Sequence, residues 1–196
     1  MPDKPQPSSP FAETTVAKNM LSRMEITHEE RGISVISGPW GIGKTTAINA
    51  FAEKYEGQCA VVKVDAPTGN QGTSLVRVMQ LVIEVLEGAS DYYTPSRNGR
   101  SAWILRHRVN DLLARWYDLD AWAEGPAPPF TFIFDEAQSL SREAIEALRF
   151  WNDPDRPVTP FPVALIFVGN DEFALEERGR VESVLSGAVR SRLSSA

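Results

Sequence analysis

Ile33-Ser-Val-Ile-Ser37-Gly38-Pro-Trp-Gly-Ile-Gly43-Lys44-Thr45-Thr46 is the most informative stretch of this chain. Its first five residues are a β-branched run that halts at a glycine, the signature of a short buried strand. Gly38 to Thr45 then matches G-x-x-x-x-G-K-[ST]. In this pattern glycines allow the backbone to turn with positive φ, so that successive N–H groups converge on phosphate oxygens. A helix expected from Thr45 to Tyr55 would add the positive end of its dipole. Lys44 is positioned to reach the β and γ phosphates, and the Thr45 hydroxyl to ligate Mg²⁺. Gly38, Pro39, Gly41, Ile42, Gly43, Lys44, Thr45 and Thr46 are therefore the expected binding set for ATP with Mg²⁺.

Outward from this loop, apolar patterning alternates between two periods. Ala60–Val64, Phe130–Phe134 and Val163–Val168 read as further strands. Helical spacing appears over Phe11–Met24 (Thr14 or Thr15 as cap), Ser74–Glu87, Ser101–Trp116 and Ser141–Trp151, the last capped by Ser141. Strands alternating with helices predict a parallel sheet covered on both faces, the three-layer α/β/α arrangement of P-loop NTPases. Residues 1–10 hold four prolines and two serines and read as a disordered leader, which leaves 11–196 as one domain.

The strand Phe130–Phe134 runs into Asp135-Glu136. A carboxylate at an apolar strand end can hold the Mg²⁺ shell beside a phosphate loop, so Asp135 joins Thr45 as a metal-site residue. The next carboxylate, Glu136, can polarise an attacking water, which favours hydrolysis over transfer to a metabolite. Val168-Gly169-Asn170 ends the following strand, so Asn170 is expected at the same sheet edge, placed to orient water or touch the γ phosphate. Lys44, Glu136 and Asn170 are thus expected to be catalytic. Read without the phosphate loop, Asp135 would be a helix cap and Asn170 a turn residue.

Composition narrows the setting. The chain has 196 residues, 42% hydrophobic and 23% charged, with 20 Lys+Arg against 26 Asp+Glu. A chain of this size can bury roughly 70% of its unfolded surface without disulfides. The single cysteine, Cys59, excludes a disulfide framework, and neither it nor His28 and His107 offers zinc-ligand spacing. No apolar run approaches the roughly 20 residues of a membrane span, and the start lacks a signal-peptide core. A cytoplasmic protein without a membrane partner is the expectation.

The order of phosphate loop, Asp135-Glu-Ala-Gln-Ser-Leu140, Gly169-Asn170 and Val189-Arg-Ser-Arg-Leu193 resembles AAA+ ATPases of the branch with a DEAQ-x-L second motif. Within it the chain looks most like the transposition-helper ATPases of the phage Mu type, the MuB family, on Phe11-Ala-Glu-Thr14 and Glu146-Ala-Leu-Arg149 as well. The resemblance covers roughly Phe11 to Leu193. It implies an AAA+ core, ATP held between neighbouring subunits of a homo-oligomer, and Phe11–Lys18 lining the adenine. It also implies an arginine reaching the γ phosphate bound by the next subunit, matched here by Arg192, with Arg190 as the alternative. The family's function implies non-specific double-stranded DNA binding and delivery of target DNA to a transposase, in a phage or mobile element. Two departures stand out: the leader cannot supply the family's helix-turn-helix appendage, and a chain ending at Ala196 is expected to lack the helical lid of AAA+ modules.

A local basic block offers a DNA surface independent of the resemblance. Arg97, Arg100, Arg106, Arg108 and Arg115 surround a single acid, Asp111, in a chain of net charge −6. An ordinary exposed helix face is the plainer reading, since positions 106 and 108 lie on different sides of a helix. Trp103, Trp116, Trp122 and Trp151 are expected in the core, and Trp40 beside the nucleotide or a subunit neighbour. Cys59 and the histidines are expected to be structural or at the surface. Two other functions fit less of the sequence: a nucleotide-gated protein-interaction ATPase of the secretion-associated type without DNA, and a small-molecule P-loop kinase, against which Glu136 and Asn170 argue.

Overall fold

Four parallel strands, β1 (Ile33–Ser37), β2 (Cys59–Lys63), β3 (Thr131–Asp135) and β4 (Ala164–Gly169), lie in the order β1-β4-β3-β2. They belong to a computed structural model that describes residues 14–66, 72–88, 101–116, 128–153 and 163–170. β4 inserts between β1 and β3 with all six of its residues buried, as a near-continuous apolar run requires when helices cover both faces. The strand alternation sends Phe132, Phe134, Leu165 and Phe167 to one face and Ile133, Ile166 and Val168 to the other.

Each face is covered by helices. α1 (Thr15–Glu29) and α2 (Lys44–Lys54) bring Met24, Ile48 and Phe51 to the Ile133 face. α3 (Leu75–Leu86), α4 (Ala102–Trp116) and α5 (Arg142–Arg149) bring Val82, Val109 and Leu148 to the phenylalanine face. This is the three-layer α/β/α architecture read from the sequence. Side chains cap the helices where the sequence offers them: Thr14 accepts from Ala17 N–H at 3.1 Å and Ser141 from Ala144 N–H at 3.2 Å. Among the described residues no helix is long and apolar enough to cross a membrane.

Three sequence readings need correction. α1 continues to Glu29 rather than ending at Met24, because two polar residues of its last turn are buried and satisfied. Thr27 donates to the Arg23 carbonyl at 2.8 Å, and the His28 ring shares a 2.8 Å hydrogen bond with Thr131 Oγ1 while packing against Phe51 and Tyr55. The helix after Ser141 ends at Arg149 and tightens into a 3₁₀ turn, Phe150–Asn152, where the Asn152 amide donates to the carbonyls of Arg31 and of Val163 (2.9 Å). Trp151 is core as expected, but Trp103 is 62% exposed and stands edge-on to His107. The Trp116 side chain and Trp122 lie outside the described residues, as do the leader, Phe11, Arg97, Arg100, Arg190 and Arg192.

Candidate functional site

Parallel strands place all their C-terminal ends on one edge, where Ser37 faces Gly169 and Lys63 faces Asp135. In open α/β sheets this edge is where ligands bind. The loop from Gly38 to Gly43 leaves β1 here and turns into α2. Gly41 (φ +80°) and Gly43 (φ +101°) occupy backbone conformations that suit glycine, as the motif demands. Gly43 caps α2 without any side-chain acceptor, so no side chain consumes the first amides of the helix. Ile42 folds inward toward the Ile133 face of the core.

The Lys44 ammonium donates to the carbonyls of Gly38 (2.6 Å) and Pro39 (3.0 Å), and the Trp40 ring, 73% exposed, lies 5.9 Å from it. A cation is thereby held inside the curl of the loop. Thr45 and Thr46 are exposed in the first turn of α2. Open helix amides, a fixed ammonium and a hydroxyl at one strand-to-helix junction form a donor set that fits polyphosphate.

Asp135 ends β3 half-buried. Burial pushes its carboxyl above the ordinary range and the Glu136 charge adds to this, whereas a 3.0 Å bond from Glu136 N–H and the charges of Lys63 and Lys44 oppose it. With β4 alone between β1 and β3, the acidic strand end and the phosphate loop open on the same edge of the sheet. Among the described residues no group of three or more His, Cys, Asp or Glu could cage a metal. A hydroxyl and a single carboxylate instead fit Mg²⁺, which keeps several waters and is typically held by one or two carboxylates together with phosphates.

Glu136 stands in the left-handed region at φ +57°, unusual for a residue with a side chain. It opens a 3₁₀ turn, Ala137–Ser139. The turn is anchored by a parallel bridge between Thr73 and Leu140: Thr73 N–H donates to Ser139 O at 2.6 Å and Ser141 N–H to Thr73 O at 3.1 Å. Gln138 projects from this turn, donating to Glu136 Oε2 at 2.5 Å and accepting from Asn170 N–H at 3.2 Å. Asn170 therefore emerges beside Glu136 at the end of β4, as its sequence position led one to expect. Gln138 stands in the sequence as the fourth residue of the Asp135-Glu-Ala-Gln motif, but neither its two hydrogen bonds nor the Thr73 bridge was legible there. A cavity of about 390 Å³, lined by Lys63, Asp65, Glu136 and Ser139 among others, opens on the β2 side of this turn.

The basic block divides in two where it is described. Arg108 makes two bonds to Glu87 Oε1 (2.9 and 2.5 Å), so its charge is already matched. Arg106 lines a cavity of about 530 Å³ with Leu75, Met79, Trp103, Phe150 and Trp151, between α3, α4 and the end of α5. Burial raises the Cys59 thiol to about 11, which removes it as a nucleophile near neutral pH.

Comparison with known proteins agrees with this fold. The AAA domain family profile matches residues 27–175. The Mu-like prophage FluMu DNA transposition protein B of Haemophilus influenzae is 25% identical over 171 residues, 87% of this chain and 49% of that protein. The chain thus spans about half the length of that relative. The crystal structure of Cdc6p from Pyrobaculum aerophilum superposes with a TM-score of 0.59 at 17% identity, covering 96% of this chain and 46% of the other, a likeness of fold.

Proposed function

The chain belongs to the AAA domain family, and on that premise we propose that it binds ATP with Mg²⁺ at the Gly38–Thr46 loop, hydrolyses it, and uses the cycle to assemble on and leave double-stranded DNA. The observation that carries this reading is the strand order: β4, inserted between β1 and β3, sets Asn170 between the phosphate loop and the Asp135-Glu136 strand end.

The division of labour follows from side-chain chemistry. Lys44 and the α2 amides bind and orient the triphosphate, and Thr45 and Asp135 hold Mg²⁺. Bound magnesium offsets charge on the phosphate oxygens. Glu136 takes a proton from the attacking water, and Asn170 holds that water in line with the γ phosphate. Arg192 of a neighbouring subunit, or Arg190, faces the γ phosphate, so turnover depends on assembly. Similarity to a protein named for DNA transposition supports DNA as the partner and a transposase-helper role. Arg97, Arg100 and Arg106 are the cations proposed to meet the DNA backbone, whereas Arg108 is paired with Glu87.

The deciding experiment is ATP turnover measured with and without duplex DNA. Stimulation by DNA is the expected result. Turnover and oligomerisation indifferent to DNA would instead favour a nucleotide-gated protein-interaction switch. That second reading has one observation of its own: α4 exposes Trp103 and Ile104, and Trp103 lines a largely apolar cavity with Leu75, Met79 and Phe150 in which Arg106 is the one cation among the lining residues. Phosphorylation of an added metabolite would revive the kinase reading.

A further inference from the structure

Gln138 makes two hydrogen bonds that only a carboxamide of its length can make together. Its Nε2 donates to Glu136 Oε2 at 2.5 Å, and its Oε1 accepts from the backbone N–H of Asn170 at 3.2 Å. The two bonds fix which end of the amide is which, since a carboxylate can only accept and an N–H can only donate. One end of the bridge lies after β3 and the other after β4, so the side chain spans the two strand ends that carry Glu136 and Asn170.

The backbone beneath it is held independently. Thr73 lies against the turn through the bonds to Ser139 and Ser141, and Ala137 and Ser139 are buried. Glu136 meanwhile sits at φ +57°, a conformation that a non-glycine residue keeps only where its surroundings over-determine it. With Oε2 engaged by Gln138, the second carboxylate oxygen has no partner among the described residues. The carboxylate is thus restrained by one oxygen and presents the other.

We propose that Gln138 is a positioning residue for ATP hydrolysis: it sets the orientation of the Glu136 carboxylate relative to the Asn170 segment, so that one oxygen is free to accept the proton of the attacking water. This rests on Glu136 acting as the base. General-base efficiency depends on the angle and reach of the accepting oxygen, so a carboxylate left to rotate loses rate without losing nucleotide.

The test is a kinetic cycle in the full 196-residue chain, using Gln138→Ala, Gln138→Glu, Glu136→Gln and the double variant Glu136→Gln/Gln138→Ala. Steady-state and single-turnover ATP hydrolysis are measured, with Mg-ATP affinity alongside. Gln138→Ala is expected to lower kcat by about ten- to a hundredfold while KM for ATP stays within about twofold. Gln138→Glu keeps the length and the acceptor but loses the donor, and should show the same split; it decides the matter if the alanine variant fails to fold. In the Glu136→Gln background the added Gln138→Ala should cost no further rate, because its effect runs through the carboxylate; a purely structural role would remain additive. If the unaltered chain turns over and Glu136→Gln abolishes this, yet Gln138→Ala and Gln138→Glu keep the parental kcat, the inference falls and the ATPase reading stands. If the unaltered chain hydrolyses nothing, or Glu136→Gln matches it, both fall together.

Discussion

The Lys44 ammonium donates to the Gly38 carbonyl at 2.6 Å, closing the phosphate loop from its last residue back to its first. The loop's cation is therefore held in place by the loop's own backbone before any phosphate enters. Lys44→Ala removes both that brace and a charge-assisted contact worth about 1.5–3 kcal/mol. The expected result is an affinity for Mg-ATP at least about tenfold weaker by calorimetry. The exposed Trp40 ring near Lys44 should report the same event: Mg-ATP is expected to change the tryptophan emission, and Trp40→Phe should remove most of that change.

Glu136→Gln retains shape and hydrogen bonding but cannot take a proton. Mg-ATP binding should stay within about twofold of the parent, while turnover falls by at least about a hundredfold. The trapped nucleotide should hold the assembled species in size-exclusion chromatography with light scattering. Parental turnover in this variant would show that another group activates the water.

Gly72 supports the site from a distance. It has φ +69°, and a Cβ there would lie 2.9 Å from Ser141 N and 3.0 Å from Leu140 C and O, all backbone atoms that cannot swing aside. Gly72→Ala should lower stability by about 1–3 kcal/mol in urea unfolding, combining the positive φ with the close approach. Because Thr73 braces the Glu136 turn, kcat should fall as well.

Burial lowers the pKa of His28, with Arg31 acting in the same direction and a Gln58 hydrogen bond and Glu29 opposing it. The unfolded chain, titrating near about 6.5, then binds more protons than the folded one as the medium is acidified. The contribution of His28 to stability is thus present above pH of about 6.5 and is lost as pH falls toward the folded value, at up to about 1.4 kcal/mol per pH unit. Denaturant midpoints between pH of about 7 and 5 should show this slope, and His28→Gln should flatten it.

Arg106 and Arg108 should behave differently toward DNA. Arg100→Glu with Arg106→Glu is expected to weaken duplex binding and reduce its salt dependence, each neutralised phosphate contact accounting for about one unit of the log–log slope. Arg108→Ala should change that slope little, because Glu87 already pairs with the guanidinium. An unchanged slope in the double variant would remove this block as a DNA surface.

Much of the molecule was legible in one dimension because its determinants are local. A β-branched run stopped by glycine is a strand whatever surrounds it, and β1 spans Ile33–Ser37 as read. The glycine spacing before Lys44 predicts the loop because positive φ belongs to individual residues, and Gly41 and Gly43 adopt it. Thr14 and Ser141 cap their helices because the acceptor and the amides are three residues apart.

Contacts between distant segments were the less legible part. The end of α1 was hidden because Thr27 and His28 look like surface residues until Thr131, more than a hundred positions away, supplies a partner for the histidine. Trp103 has the apolar spacing of a core residue, yet the helix turns it outward toward His107, a choice made by packing against α3 that periodicity does not encode.

The phosphate loop, Asp135, Glu136 and Asn170 could be proposed from the chain alone, since each is marked by its own chemistry and its position after a strand. What the folded molecule added was their adjacency. Placing β4 between β1 and β3, threading Thr73 beside Leu140 and stretching Gln138 from Glu136 to Asn170 all depend on which strands pair, and strand pairing is settled by the burial of two apolar faces at once.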